Sequence, residues 1–389
     1  MTFPDGFIWG AATSAHQTEG NNVGSDWWHL EHRPGSFLSE PSGDACDSYH
    51  RWRDDMRLAA GAGLRAYRFS VEWARIEPAP GAYSAAELAH YRRMIEFALE
   101  LGLAPMVTLH HFTLPAWLRT WRTPEAVPAF ARYCERVAAI LDGVGHACLI
   151  NEPNMVAIMP VIAERGLETL KDGLPVPDPA AVEALIAAHD AGRDVLRRLR
   201  PRIALGWSIA SQTYHPDDTA ADLAARYQAV AEDVFVDAAR GDDWIGVQAY
   251  TRQKITAKDG RPVYAADPDA PRTLTGWEVY PAALGECVRR TWQRSRLPIL
   301  VTENGIATGD DAQRVAYTAA ALTGLAAAMA DGADVRGYYH WSLLDNYEWG
   351  SYTPTFGLVA VDRTTFRRTP KPSLAWLGRV ARDNRLPKD

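Results

Sequence analysis

His146-Ala147-Cys148-Leu149-Ile150-Asn151-Glu152-Pro153-Asn154 decides how the chain is read. It begins as a short apolar, β-rich run and ends on polar residues. Helical patterns flank it, over Pro124–Leu141 and Pro179–Leu199. Strand-like runs alternating with longer amphipathic ones are the signature of βαβ units. Working outward, the same alternation fills the chain. Strands are expected over Phe7–His16, Leu64–Ser70, Ala104–His110, His146–Glu152, Arg202–Ile209, Trp244–Tyr250, Pro298–Asn304 and Val335–Ser342. Helices are expected over Tyr49–Ala60, Ser84–Leu101, Thr219–Ala239, Tyr280–Ser295, Asp311–Asp331 and Pro372–Arg382 besides the two already given, and Ser84 precedes Glu87 at capping-box spacing. Eight strand–helix pairs predict an α/β fold, a (β/α)8 TIM barrel, as one domain over residues 1–389. The competing open doubly wound sheet lacks its phosphate fingerprint: Gly10-Ala11-Ala12-Thr13 is not G-x-G-x-x-G. Pro-, Gly- and Asp-rich stretches at Glu31–Asp44, Lys171–Pro179 and Ala257–Gly276 read as elaborated βα loops, on the side where barrels build active sites.

Composition narrows the class. The chain has 389 residues and a formal charge of −7 from 41 basic and 48 acidic residues, which argues against a nucleic-acid partner. No stretch is apolar for long enough to span a bilayer, so no membrane partner is expected. Cys46, Cys134, Cys148 and Cys287 match no zinc or redox spacing and read as buried small hydrophobes. With an N-terminus that has no signal-like pattern, this predicts a cytoplasmic protein. The sequence carries no signal for oligomeric state.

The chemistry collects where strands end. In a barrel these ends converge on one mouth. Here they carry Gln17, His111, Asn151-Glu152, Tyr250, Glu303-Asn304 and Trp341, a polar and aromatic set on otherwise apolar segments. Glu152 and Glu303 stand out, because a barrel turns two such distant carboxylates into one cleft. Glycoside hydrolysis needs such a pair: one protonates the leaving oxygen, and the other attacks the anomeric carbon or positions water. The alternative for any strand-end glutamate is a loop cap or an ion pair with arginine. His110 and His111 face opposite ways as strand neighbours, which argues against a shared metal ion. Asp54-Asp55 and Asp242-Asp243 read as solvated or capping pairs. No metal or cofactor is expected, since the two-carboxylate reaction needs none. Trp27, Trp28, Trp52 and Trp73 read as packing residues.

Six motifs, in order, resemble glycoside hydrolase family 1, the β-glucosidase family, along nearly the whole chain. They are Phe7–Gly20, Tyr67–Ser70, Thr108–Pro115, Asn151-Glu152-Pro153, Thr302–Gly305 and Trp341–Trp349. The resemblance implies a retaining β-glycosidase with Glu303 as nucleophile and Glu152 as general acid/base. It implies that Gln17, His111, Asn151, Glu348 and Trp349 bind hydroxyls of the sugar, with Trp341 as the platform below and Trp277 at the entrance. Arg68 beside Glu303 would favour its ionised form, and Tyr250 would donate a hydrogen bond to it. Glu152 would hold its proton through burial and the charge of Glu303.

The chain departs from the family in places. It is shorter than usual. Phe112 stands where Trp is usual, and Gln248 stands where Asn is usual on the sixth strand. Gln keeps the amide on a longer arm. Met155–Pro179 lacks the common Gly/Pro-rich pattern and Thr120–Pro124 looks trimmed, which predicts a reshaped leaving-group side over a standard sugar site. Glu348 would repel a phosphate, so a small-molecule β-glucoside is the expected substrate rather than a 6-phosphoglucoside. Galactose or fucose in place of glucose remains open. So does transglycosylation through the same covalent intermediate. The reading from another class is an inactive carbohydrate-binding protein, which loss of either glutamate would have favoured; both are present.

Overall fold

The computed structural model describes residues 1–165, 174–265 and 267–387. Residues 171–173 of the expected Lys171–Pro179 loop, and 166–170 of the Met155–Pro179 segment, lie outside the described residues.

Eight parallel strands close into a barrel: β1 Ile8–Ala12, β2 Ala66–Ser70, β3 Ala104–His110, β4 His146–Asn151, β5 Ala204–Ala210, β6 Ile245–Gln248, β7 Ile299–Asn304 and β8 Val335–Trp341. Each pairs with its neighbour in sequence, and β8 pairs back onto β1. Closure leaves no strand edge unpaired. Strands covered on both faces read as near-continuous apolar runs rather than alternating ones. β7 shows the consequence: Ile299-Leu300-Val301-Thr302-Glu303-Asn304 is buried at every position. A polar residue there must find its partners inside the protein.

The helices Ser48–Ala62, Ala85–Glu100, Ala126–Ala138, Pro179–Leu199, Ala283–Ser295, Asp311–Ala330 and Pro372–Asp383 cover the barrel. Ser84 caps the second of these by accepting from Glu87 N at 3.2 Å, while the Glu87 carboxylate takes the Tyr49 hydroxyl instead of closing the box. Tyr133 is fully buried and stacks on Trp73. Its hydroxyl donates to the carbonyls of Val71 and Leu109, at 2.9 Å each, and so fastens a covering helix to the β2 and β3 ends. Burying such a ring contributes roughly 1.5–3 kcal/mol.

Several boundaries differ from the sequence expectation. β1 stops at Ala12, because the chain turns into the short helix Ala15–Thr18 that carries Gln17. β4 stops at Asn151, because Glu152 takes a left-handed backbone with φ of 46°. The expected Thr219–Ala239 helix is broken into Ala221–Gln228, a π-turn over Ala229–Asp233 and Val234–Ala238. The Ala257–Gly276 stretch is not all loop. Its start belongs to a small sheet of Thr213–Pro216, Arg252–Lys258 and Arg261–Tyr264 beside the mouth.

The strands bearing the two glutamates are irregular just before them. The β4–β5 register shifts between Cys148 and Asn151, and the β7–β6 register shifts between Val301 and Glu303. Bulges of this kind re-aim side chains, here toward the barrel mouth.

Candidate active site

Glu303 ends β7 almost fully buried, and both its oxygens are engaged. Oε1 accepts from Arg68 Nη1 at 2.6 Å and from Gln248 Nε2 at 2.8 Å. Oε2 accepts from the Tyr250 hydroxyl at 2.6 Å. Arg68, wholly buried on β2, also donates to Asn151 Oδ1 at 2.5 Å and to Thr108 Oγ1 at 3.2 Å. Gln248 Nε2 reaches Asn151 Oδ1 as well, at 2.8 Å. The longer amide arm therefore binds the two motif strands together.

Glu152 has the opposite surroundings. Its amide donates to Ser208 O at 2.7 Å, but its carboxyl has no hydrogen-bond partner among the described residues. Burial pushes its pKa well above the ordinary carboxylate value, and the charge of Glu303 pushes it further; only Arg68 opposes. Burial also lifts Glu303, but there the Arg68 charge and the hydrogen bonds from Tyr250, Arg68 and Gln248 pull back. Of the two carboxyls, that of the half-buried Glu152 is pushed up further, so a single charge shared by the pair is favoured on Glu303.

Four near-parallel rings build one wall: His16 on Trp349, Trp349 on His111, and His111 on Trp341, at centroid spacings of 5.6, 6.1 and 6.0 Å. Burial holds His111 neutral. Its Nε2 lies 3.4 Å from Asn151 Nδ2. With Nε2 accepting, Nδ1 carries the proton and faces no acceptor among the described residues. Trp341 Nε1 and Gln17 Nε2 donate to the two oxygens of Glu348, at 3.2 and 3.3 Å. Burial raises the Glu348 pKa well above its ordinary value. Phe112, Glu152 and Trp349 all hold left-handed backbone conformations at this wall and floor. Each costs roughly 1–3 kcal/mol, and such residues cluster where a site needs them.

Gln17, His111, Asn151, Glu152, Gln248, Tyr250, Trp277, Glu303, Trp341, Glu348 and Trp349 line one cavity of about 270 Å3. Arg68 lies behind it. Trp277 is 40% exposed at its mouth, against Tyr250 and Phe356.

The sequence reading gives no site role to Trp27, Gln212 and Phe356, and names Phe112 and the Met155–Pro179 segment only as reshaping the leaving-group side; Trp27, Phe112, Met155, Met159, Gln212 and Phe356 all line this cavity. Trp27, assigned to packing, lies 4.6 Å from Trp349 on the helix Asp26–His32. Ser25 caps that helix, accepting from the Trp28 N–H, a signal for the helix but not for where Trp27 points. His110 packs on Trp121 away from the cavity. Asp55 and Asp242 are not solvated. Asp55 is buried against Arg368 at 2.8 Å, and Asp242 against His189 and Arg193 at 2.9 and 3.0 Å. Among the described residues no group of His, Cys, Asp or Glu is arranged to hold a metal ion, and no helix is long and apolar enough to cross a membrane.

Fold and cavity together define a class, the (β/α)8-barrel glycoside hydrolases. Comparison with known proteins makes this specific. The chain matches the profile of Glycosyl hydrolase family 1 over residues 1–242 and 242–386. It is 33% identical to Thermostable beta-glucosidase B of Thermobispora bispora, over 99% of this chain and 92% of that protein. It is 30% identical to Beta-glucosidase A of Thermotoga maritima, over 99% and 98%. That second alignment spans 445 positions against a chain of 389 residues, the excess being residues the relative carries and this chain lacks. The crystal structure of beta-glycosidase BGL167 superposes with a TM-score of 0.88 at 42% identity, covering 100% of this chain and 99% of that one. The chain belongs to glycosyl hydrolase family 1.

Proposed function

We propose that this enzyme is a retaining β-glucosidase that releases terminal, non-reducing β-D-glucosyl residues. Glu303 is its nucleophile and Glu152 its general acid/base. The observation that carries the assignment is the contrast between the two carboxylates. Glu303 is held through both oxygens by Arg68, Gln248 and Tyr250, while the carboxyl of Glu152 has no hydrogen-bond partner among the described residues.

In the first step Glu303 attacks the anomeric carbon. The glycosidic C–O bond breaks, and Glu152 passes its proton to the departing oxygen. This consumes the Glu303 charge as the ester to the sugar forms, so the repulsion that kept Glu152 protonated disappears. Glu152, now a carboxylate, takes a proton from water. The resulting hydroxide attacks the same carbon and frees Glu303. Two inversions give net retention.

Sugar recognition follows the donor and acceptor inventory. Glu348 and Gln17 offer acceptors and donors to hydroxyls, His111 Nδ1–H offers a donor, and Trp341 offers an indole face to the C–H side of the ring. Asn151, tied to Arg68 and Gln248, presents its amide from a fixed position. The relatives named β-glucosidases favour glucose as the sugar. Four buried, unpaired cysteines fit a reducing, cytoplasmic setting.

The test is trapping. Incubation with an activated 2-deoxy-2-fluoro-β-glucoside should leave one sugar on the peptide containing Glu303, read by mass spectrometry. A label on Glu152, or rapid turnover of glucosides with no label on any residue, would remove the assignment.

A further inference from the structure

Trp349 sits on the loop beyond β8 with a left-handed backbone, φ of 48°, a conformation that a bulky residue rarely takes unforced. It is partly exposed and lines the sugar pocket, and its indole N–H has no hydrogen-bond partner among the described residues. An unclaimed N–H donor at that wall suits a hydroxyl of the sugar, provided the ring is held in one plane. The side chain is held by packing alone, so its neighbours decide where the N–H points.

Four rings pack on it among the described residues. Trp27 and Phe112 lean against it at 57° and 56°, while His111 and His16 lie nearly parallel to it, at 10° and 7°. Trp27, Phe112 and His111 line the pocket themselves; His16 does not. His16 is instead anchored through both ring nitrogens. Nε2 lies 2.8 Å from Glu31 Oε1, and a carboxylate only accepts, so Nε2 carries a proton. Nδ1 lies 3.1 Å from Asn22 Nδ2. The His16 and Glu31 side chains are both fully buried. Glu31 Oε2 accepts in turn from the Ser42 N–H at 3.0 Å and the Ser42 hydroxyl at 2.6 Å. Burial alone would raise the Glu31 pKa, but the hydrogen bonds from His16 and Ser42 outweigh it and hold the carboxyl below its ordinary value. Two bonds from opposite sides of the imidazole oppose its rotation, and the ring stacked on it is the Trp349 indole. The next residue, Gln17, donates to Tyr347 O at 2.8 Å and to Glu348 at 3.3 Å, so one short helix grips the loop that carries Trp349.

We infer that His16, braced by Glu31 and Asn22, is a positioning residue: it sets the plane of Trp349 and so aims the indole N–H at one hydroxyl of the bound sugar. Selectivity for that hydroxyl then depends on a buried pair that does not line the sugar pocket. This rests on the β-glucosidase reading and adds to it the residues that fix one of its sugar contacts.

The test uses 4-nitrophenyl β-D-glucoside and its 2-, 3-, 4- and 6-deoxy forms. In the unaltered enzyme each missing hydroxyl lowers kcat/KM by its own factor. Trp349→Phe removes the N–H and keeps a ring, and it identifies the hydroxyl concerned: that factor should shrink about three- to tenfold, the worth of one neutral hydrogen bond, with the others changed less than about twofold. His16→Gln keeps a donor for Glu31 and removes the stacked ring. It should shrink the same factor, by about threefold or more, and spare the other three. Glu31→Gln sets an amide NH2 against the Ser42 N–H, so the brace fails while the His16 ring stays; read the same way, it decides the matter if His16→Gln does not fold. Four unchanged factors in His16→Gln overturn the inference. So does a loss of activity uniform across the five substrates, as a merely structural role would give, or a change centred on a different hydroxyl from that of Trp349→Phe. Failure of both variants to fold also overturns it, since the pair would then support the chain and not the indole. Unaltered factors in Trp349→Phe overturn it without any His16 variant. Inactivity of the unaltered enzyme toward every β-glucoside is a different result: it removes the reading on which the inference stands.

Discussion

Tyr250→Phe isolates the electrostatics of the nucleophile. The Tyr250 hydroxyl donates to Glu303 Oε2 at 2.6 Å, in a partly buried setting, and its ring also packs on Trp277 and Phe356. Phe keeps the ring and removes only the donor. A hydrogen bond to a charged group contributes about 1.5–3 kcal/mol. At 1.36 kcal/mol per pKa unit, its loss should raise the Glu303 pKa by about one to two units. The sign follows from which state the hydrogen bond favours. The donor stabilises the carboxylate, so its removal favours the protonated form. The nucleophile must be ionised, so the acid limb of kcat/KM should move to higher pH by that amount. Below the old limb the loss is largest, about tenfold per unit. At the optimum it is smaller, because a more basic carboxylate is a better nucleophile and the donor's grip weakens as the charge is consumed. The assay is the pH profile of kcat/KM on 4-nitrophenyl β-D-glucoside for both proteins. An acid limb that stays in place, or an alkaline limb that moves further than the acid one, would refute this account of how Glu303 is kept ionised.

Other substitutions probe the remaining parts. Glu152→Ala should lose most activity on substrates with poor leaving groups but keep much of it on 2,4-dinitrophenyl β-D-glucoside, which needs no proton; equal losses on both would contradict the acid role. Glu152→Gln should fold more stably at neutral and alkaline pH. The Glu152 pKa is raised in the folded state, so the wild-type carboxyl favours folding while protonated and penalises it as pH rises through that pKa. The thermal midpoint should rise at neutral pH, and the gain should shrink on acidification. A lower midpoint for Glu152→Gln at pH 7 would count against a proton-holding carboxyl at this position. Gly305→Ala places a Cβ 2.0 Å from the Trp341 carbonyl, so backbone must shift beside Glu303. It should destabilise by about 1–3 kcal/mol and lower kcat on all glucosides alike; wild-type kinetics would show that this close approach is unimportant.

The barrel was legible because each strand carries its own signal: a short apolar run, a polar end and an amphipathic helix after it. β3 and β7 fall within a residue of their expected ends. β1 was read too long because Thr13-Ser14-Ala15-His16 keeps a strand-like composition while the Ala15 N–H donates to Ser70 Oγ and the chain turns into a helix. The small sheet was missed for a different reason. Thr213–Pro216 pairs with Arg252–Lys258, a contact between distant segments that no local pattern announces. At the site, the residues on strand ends could be found by position. Trp27 could not, because it reaches the cavity from the helix Asp26–His32, well past the end of β1, and only packing against Trp349 brings it there; Gln212 lies two residues past the end of β5, and the same rule could have found it.

The central claim is double displacement at one carbon, and the first product anomer tests it most directly. Proton NMR of aryl β-D-glucoside hydrolysis, followed from the first turnovers, should show β-glucose appearing first, with α-glucose growing only at the rate of mutarotation. Initial release of α-glucose would mean direct attack by water, and the covalent role of Glu303 would be wrong.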